Sequence, residues 1–366
     1  MTRKKRVLVG MSGGVDSSVT AALLKKRGYD VIGISLQLVP KDSELKSACC
    51  NINILSDAKR VAQKIGIPHY TINARDTFEK NVITPFINTY LKGETPNPCV
   101  ECNRFIKFDL LDEKAKQLNA DYIATGHYCQ ITHDRDKKRF FIKKAKDQSK
   151  DQSYFLYMLT QAQLKRTLFP LGNYEKAEIR AMANELDFIN ANRPDSQEIC
   201  FVTDKRYTDF IDDQVSADQV PPGDIRLSNG QVLGTHTGIH RYTIGQRKGL
   251  NISYHAPLYV TDINPIKNEI IVGEKDDLES DTFELIAPHI VNKDRPVLNQ
   301  TFTMKIRYRM NGFKAKVSAI HEDRLTITAN KKLPFITPGQ TGVLYQGEHV
   351  IGGGTIQRQS VNHNTH

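Results

Sequence analysis

The opening segment constrains this chain more than any other. "RVLVGM" (Arg6 to Met11) is a short apolar run and "SGGVDSS" (Ser12 to Ser18) a turn. "VTAALLKKRG" reads as a helix that stops at Gly28, and "YDVIGISLQL" is a second apolar run. Strand, turn, helix and strand in that order form a βαβ unit, which commits both strands to a parallel sheet with a right-handed crossover. "SDAKRVAQKIG" (Ser56 to Gly66) opens on a serine suited to an N-cap and closes on glycine, so a helix is expected there. "IPHYTIN" and "DYIATGHY" supply two more strands. The first 130 or so residues therefore read as a doubly wound α/β domain.

A chain of 366 residues is too long for one compact core, and its texture changes twice. From about Gln152 to Leu186 the pattern reads as helical, in "QSYFLYMLTQAQLKR" and "YEKAEIRAMANELDF". After Arg206, "PPGDIRLSNGQVLGTHTGIHRYTIGQRKG" is rich in glycine and turn residues and predicts a small mixed, β-rich domain. The last 85 to 90 residues read as all-β. In "TFTMKIRYRM", Phe302, Met304, Ile306, Tyr308 and Met310 should face one way and Thr303, Lys305, Arg307 and Arg309 the other. Several such strands suit a small barrel. The expected organisation is an α/β domain over 1–205, with a helical extension from about 152, a central domain over 206–277, and a C-terminal β-barrel over 278–366. No internal repeat is visible, and the tail "QSVNHNTH" is expected to fray.

No apolar run approaches the roughly 20 residues needed to span a bilayer. The basic start "MTRKK" leads into a few apolar residues and then glycines, which is a buried strand and not a signal peptide. The cytoplasm is therefore the expected location, with the six cysteines reduced and available for metal binding or catalysis. A formal net charge of +10 points to an anionic partner, nucleic acid first and an acidic membrane surface second.

"SGGVDSS" lies at the first strand-to-helix junction. Its glycines let the backbone approach a ligand, and the helix start aims unsatisfied N–H groups and a positive dipole end at it. Ser12, Ser17 and Ser18 add hydroxyl donors. The loop has neither the lysine of a Walker A motif nor the spacing of the dinucleotide fingerprint. It resembles the PP-loop of the N-type ATP pyrophosphatases, a Rossmann-like group that adenylates substrates and releases pyrophosphate. That resemblance implies ATP with Mg²⁺ as cofactors, and an ATP site formed by Gly10, Met11, Ser12, Gly13, Gly14, Val15, Asp16 and Ser17, with Leu36 and Gly126 against the adenine. Asp16 would help to organise the metal.

Cys99 and Cys102, in "NPCVECNRFIKF", have C-x-x-C spacing, yet no second C-x-x-C or H-x-x-H pair follows to complete a zinc knuckle. A proline-flanked loop is also an unusual setting for thioredoxin-like chemistry. The wider pattern says more. "CCN", "ECNRFIKF", "ATGHY", "KDQSYFLY", "RPDSQEICF", "GQRKGL" and "IRYR" follow one another across the chain. Together with "GMSGGVDSS" this set closely resembles the tRNA-specific 2-thiouridylases over nearly the full length.

The resemblance implies replacement of the 2-oxygen of the wobble uridine by sulfur, in the tRNAs for Lys, Glu and Gln. The sulfur would come from a donor protein such as a cysteine desulfurase or a sulfur-relay protein. Cys200 would carry it as a persulfide, ATP would adenylate the uridine O2, the persulfide would attack C2 or release hydrogen sulfide to do so, and Cys102 would resolve the sulfur by a disulfide with Cys200. One of the two thiols needs a lowered pKa, because the thiolate is the attacking form. Cys99 departs from the many relatives that carry aspartate there. Two routes stay open: Cys99 replaces the aspartate as a proton acceptor, or Cys99, Cys102 and Cys200 ligate a [4Fe-4S] cluster. Cys49, Cys50 and Cys129 read as small buried hydrophobes.

By the same resemblance Asn97, Pro98, Cys99, His127, Lys150, Asp151, Gln152, Arg307, Tyr308 and Gln340 would meet the tRNA. His127 could be a general acid–base, but a contact role is the better reading. Lys144, Lys146 and "DKKRFF" put basic and aromatic residues together near Lys150, as a nucleic-acid surface requires. Two other functions remain conceivable: a PP-loop enzyme adenylating a small molecule, and a non-catalytic RNA-binding module. The first leaves the paired cysteines and the basic barrel unexplained. The second predicts binding that depends on salt but not on ATP.

Overall fold

Five short strands rich in Val, Ile and Leu make the first sheet of the computed structural model, which describes residues 3–38, 52–195, 199–202, 206–291 and 296–357. In chain order they are β1 (Arg6–Gly10), β2 (Asp30–Gln37), β3 (His69–Asn73), β4 (Tyr122–Ala124) and, after the hairpin strands β5 (Cys129–Asp134) and β6 (Arg139–Lys144), β7 (Thr167–Leu168). The spatial order is β3-β2-β1-β4-β7, and every pairing is parallel. Val7, Leu8 and Val9 of β1 are fully buried, as a central parallel strand covered on both faces requires. Helix α1 (Val15–Lys26) crosses from β1 to β2 and ends just before Gly28, whose φ of +87° suits a glycine C-terminal to a helix.

Helix α2 (Ile52–Ile65) starts upstream of the expected N-cap, so Ser56 lies inside it and on its exposed side. The apolar period explains this: Ile54 and Leu55 continue the stripe of Ala58, Val61 and Ala62 backwards by a turn. The expected helical extension from Gln152 is broken into short pieces. Ser153–Phe155, Gln161–Arg166, Pro170–Asn173 and Lys176–Glu185 are helical there, and the chain between them is not. Tyr154, Leu156, Tyr157 and Leu159 are all buried, at a spacing that no single helix face can serve. The charged run before "FF" is the turn of the β5–β6 hairpin. Asp134 Oδ1 accepts the amides of Asp136 and Lys137 at 3.0 Å, and Lys138 takes φ +52°. The C-x-x-C stretch forms a helix start and not a loop: Pro98–Glu101 is helical and Cys102–Asp109 continues it with π-type bonding. Proline at the first helical position costs nothing, since its missing N–H would be unbonded anyway.

The chain divides into two compact units. The first runs through Ile83 and adds Pro98–Arg206 and Glu348–Ile351; the second takes Thr84–Asn97, Tyr207–Gly347 and the chain from Gly352. The second unit holds a mixed sheet of β8 (Gly223–Leu227), β9 (Val232–His236), β10 (Tyr259–Asn264) and β11 (Glu269–Gly273), ordered β10-β11-β8-β9, with β8 and β11 parallel. It also holds β12 (Ser280–Ile290), β13 (Thr301–Lys305), β14 (Phe313–Ile320), β15 (Arg324–Leu333), β16 (Thr341–Gln346) and, from Gly352 on, β17 (His349–Gln357). The order β12-β15-β14-β13-β16-β17, with β17 pairing back onto β12, closes a six-stranded antiparallel barrel and leaves no free edge among these strands. Phe302, Met304 and Ile306 point inward as the alternation requires, but β13 stops at Lys305. The chain bends there, Met310 N–H bonding back to Arg307 O at 3.2 Å, so Tyr308 and Met310 do not continue the inner face. Among the described residues, no helix is long and apolar enough to cross a membrane.

Candidate active site

From β1 the chain moves to β2 and β3 on one side, while β4 joins β1 on the other. The reversal of strand order falls between β1 and β4, and open α/β sheets bind ligands at the carboxyl ends of strands flanking such a reversal. Two loops meet there, residues 11–14 after β1 and residues 125–127 after β4. Met11 is pinned to β2 by its N–H to Ile34 O (2.7 Å) and by Ser35 Oγ donating to its carbonyl (2.6 Å). Gly13 takes φ +77°, and an added Cβ would sit 2.3 Å from Ile54 O. Gly14 caps α1, its carbonyl accepting from Ser17 Oγ at 3.0 Å and Ser18 Oγ at 3.1 Å. Ser17 Oγ in turn accepts the Ser12 amide at 3.2 Å. A Cβ at Gly126 would stand 2.8 Å from Ser17 N and 2.9 Å from Asp16 C, so the β4 loop lies directly against the first turn of α1. Leu36, at the end of β2, is half-buried.

A group of charged residues closes on this loop from the segment after β7. Lys176 is buried, and its Nζ lies 2.8 Å from both carboxylate oxygens of Asp16 and 2.8 Å from Asp195 Oδ1. Tyr128 Oη donates to Asp16 Oδ1 at 2.8 Å. Burial and the Asp16 charge raise the Tyr128 pKa, which keeps the phenol protonated as that donor. Asp195 also takes Lys150 at 2.8 Å and Arg180 at 3.4 Å. Burial alone would raise the Asp195 pKa, but the hydrogen bonds of Lys150 and Lys176 outweigh it and hold the carboxyl below its usual value. Asn190 Nδ2 donates to Gly13 O at 2.8 Å and Ser18 Oγ at 2.9 Å, and Arg193 donates to Gly13 O at 3.0 Å while pairing with Asp57.

The two cysteine segments reach the same walls. Cys102 is buried at the start of a helical run whose Phe108 stacks on His127, ring centroids 5.9 Å apart. His127 is buried beside Gly126, with its Nδ1 2.7 Å from Thr125 Oγ1. Burial first, and Lys107 second, push the His127 pKa well below its ordinary value, so the ring is neutral. Beside Cys102 the Asn103 side-chain oxygen is buried with no hydrogen-bond partner. Cys200, half-buried, follows Asp195 by five residues, and its neighbour Phe201 is anchored edge-on to Phe78 at 5.6 Å. Cys99 is exposed. Among the described residues no three His, Cys, Asp or Glu side chains are grouped as a metal ion requires. Cys99, Cys102 and Cys200 are not grouped in that way. Cys129 is buried in β5 and burial raises its thiol pKa well above the usual value, which fits a packing role. Cys49 and Cys50 lie outside the described residues.

The expected tRNA-contact residues fall into two groups. In the first unit Asp151 is buried and accepts from Ala145 N (3.0 Å) and Ser153 Oγ (2.8 Å), and Gln152 Oε1 accepts Tyr128 N–H at 3.0 Å. In the second unit Arg307 donates to Thr337 Oγ1 at 2.9 Å, and Gln340 Nε2 donates to Thr95 O (3.1 Å) and Pro96 O (2.9 Å). Asn97 Nδ2 donates to Thr341 Oγ1 at 3.3 Å, so Asn97, Arg307 and Gln340 gather around one turn at the start of β16. Tyr308 lies under the Lys305 ammonium, 5.8 Å from its ring centroid.

Sequence reasoning did not single out Lys176, Asn190, Arg193 or Asp195. Arg193 and Asp195 sit in a quoted motif, "RPDSQEICF", and could have been found by asking which residues near Cys200 carry charge. Lys176 gives no local signal.

The domain family described as "tRNA methyl transferase HUP domain" matches residues 5–204, "tRNA methyl transferase PRC-barrel domain" matches 208–274, and "Aminomethyltransferase beta-barrel domain" matches 280–356. The "tRNA-specific 2-thiouridylase MnmA 1" of Caldanaerobacter subterraneus subsp. tengcongensis is 46% identical over 363 residues, 98% of this chain and 100% of that protein. The "tRNA-specific 2-thiouridylase MnmA" of Clostridioides difficile is 45% identical over 362 residues, 98% of this chain and 99% of that protein. A solved 4-thiouridine synthetase–RNA complex with bound ATP covers 58% of this chain and 50% of its own, at 15% identity and a TM-score of 0.38, too distant to bear on function. By its three domain matches and by near-complete coverage of these relatives, the chain belongs to the family of tRNA-specific 2-thiouridylases.

Proposed function

We propose that this chain is an ATP-dependent sulfurtransferase, acting in the cytoplasm, that converts the wobble uridine of the tRNAs for Lys, Glu and Gln to 2-thiouridine. One observation carries the reading: both cysteine-bearing segments touch the walls of the phosphate loop, one through Phe108 on His127 beside Gly126 and the other through Asn190, Arg193 and Asp195. ATP lies with its phosphates on the amides of residues 11–17 and its base near Leu36 and Gly126. The uridine O2 attacks the α-phosphorus, pyrophosphate leaves, and C2 carries an adenylate. The terminal sulfur of a persulfide on Cys200, supplied by a cysteine desulfurase or a sulfur-relay protein, attacks C2 and AMP departs with the former O2. The Cys102 thiolate then attacks Cys200 Sγ, which breaks the S–S bond to the transferred sulfur, leaves it on C2 and forms the Cys102–Cys200 disulfide. An external thiol reduces that disulfide before the next turnover. Cys99, exposed, accepts the N3 proton that the uridine loses as its O2 is adenylated. The tRNA is held by Asn97, Pro98, Lys150, Gln152, Arg307, Tyr308 and Gln340, with His127 and Asp151 shaping the surface from within.

The test is nucleoside mass spectrometry of unmodified tRNA incubated with enzyme, ATP, Mg²⁺ and a persulfide donor. 2-Thiouridine should form with the wild-type protein and not with Cys200→Ser. Pyrophosphate release that ignores tRNA, with no 2-thiouridine, would instead identify an enzyme that adenylates a small molecule.

A further inference from the structure

An aspartate in the first turn of a phosphate-binding helix poses an electrostatic problem. The helix start attracts anions, yet the Asp16 carboxylate repels a polyphosphate approaching the same amides. The conflict disappears only when a cation stands on Asp16. Here that cation is the Lys176 ammonium, 2.8 Å from both oxygens and brought from 160 residues away in sequence. Lys176 has a second hold on Asp195 at 2.8 Å, and Asp195 is itself supplied with charge by Lys150 and Arg180. Three cations therefore converge on Asp16 and Asp195, and Asp147 accepts the Lys176 backbone N–H at 3.0 Å.

We propose that Lys176 is a stand-in cation for the nucleotide site: it holds Asp16 until a divalent ion arrives with the nucleotide, then yields Asp16 to that ion and turns, still tethered by Asp195, to the incoming phosphates. This rests on the reading of residues 11–17 as the ATP site. Lys176 acts twice, through Asp16 before the exchange and on the phosphates themselves after it. Tyr128, bonded to Asp16 Oδ1, keeps the carboxylate oriented through the exchange. The arrangement makes two opposite demands on one side chain. Lys176 competes with a metal ion for Asp16 and cooperates with an anion at the loop. A lysine that merely cemented the fold would do neither selectively.

The experiment measures two ligands separately on the full chain: Mn²⁺ without nucleotide, by electron paramagnetic resonance, and inorganic pyrophosphate without metal, by calorimetry. Lys176→Met should bind Mn²⁺ about tenfold more tightly and pyrophosphate about tenfold more weakly than wild type. Loss of both affinities, or no change in either, overturns the proposal. Lys176→Arg keeps the charge and guards against a Met variant that does not fold. Its guanidinium clamps both Asp16 oxygens and is harder to displace, so Mn²⁺ should bind about threefold or more weakly while pyrophosphate binding is kept. Mn²⁺ binding by Lys176→Arg as tight as wild type or tighter also overturns it. A wild-type protein that binds no pyrophosphate would instead remove the ATP-site reading, and this inference with it.

Discussion

Gly126 has no side chain because there is no room for one: a Cβ would press on the Ser17 amide and the Asp16 carbonyl carbon, both backbone atoms of α1 that cannot swing aside. Gly126→Ala should therefore push the first turn of α1 away from the β4 loop. We expect a loss of about 1–3 kcal/mol of stability in chemical denaturation. ATP affinity in the folded variant should fall at least about tenfold, read by calorimetry. His127, one residue on, contributes a pH dependence. Its folded pKa lies well below 6.5, so the unfolded chain takes up the proton first as pH falls. Its contribution to stability is complete above about pH 6.5 and is lost as pH drops from there toward the folded value. Between about pH 7.5 and about pH 5.5 the melting temperature should fall less steeply in His127→Gln than in wild type. Equal slopes would mean that His127 is not the titrating group. The phosphate loop was legible at this scale because a glycine turn before a helix is written in adjacent residues. Lys176 was not, because what fixes its role is a partner 160 positions away.

At the scale of elements, the pattern located β1, β2, β4 and α1, which bury apolar residues, and also β3, which is an edge strand with none of its residues buried. It failed between Gln152 and Leu159, where Tyr154, Leu156, Tyr157 and Leu159 are all buried and carry no single period, but held for the helix Lys176–Glu185. It also overlooked the β5–β6 hairpin, because the turn Asp134–Lys138 is built from charged residues and contains no glycine. The segment that follows helix Lys176–Glu185 acts as a clamp on the phosphate loop. Asn190 holds Gly13 O and Ser18 Oγ, and Arg193 also donates to Gly13 O. Asn190→Ala leaves a buried carbonyl and hydroxyl with one donor fewer. It should cost about 1–3 kcal/mol in denaturant melts. Since the loop that loosens is the one that binds phosphate, ATP affinity should weaken in parallel. A variant that loses stability but keeps wild-type ATP affinity would show that the clamp serves packing alone.

For the molecule as a whole, the net charge of +10 and the two compact units suggest that capture and chemistry are separable. The phosphate loop, Cys102 and Cys200 belong to the first unit, while Asn97, Arg307 and Gln340 belong to the second. A tRNA that releases counterions on binding should lose affinity linearly on a log–log plot against salt, with a slope of about −0.7 to −0.9 per phosphate neutralised. Arg307→Ala should weaken tRNA binding and make that slope shallower by about one unit, if its guanidinium meets a phosphate. ATP affinity should not change, and saturating tRNA should restore the rate of 2-thiouridine formation, so the defect is confined to KM. Cys200→Ser should do the reverse, keeping the wild-type salt slope and tRNA affinity while forming no 2-thiouridine. If Arg307→Ala lowers the rate at saturating tRNA as well, the second unit does more than hold substrate. It would then take part in presenting the uridine to the adenylating centre, and the turn that gathers Asn97, Arg307 and Gln340 would be the place to look.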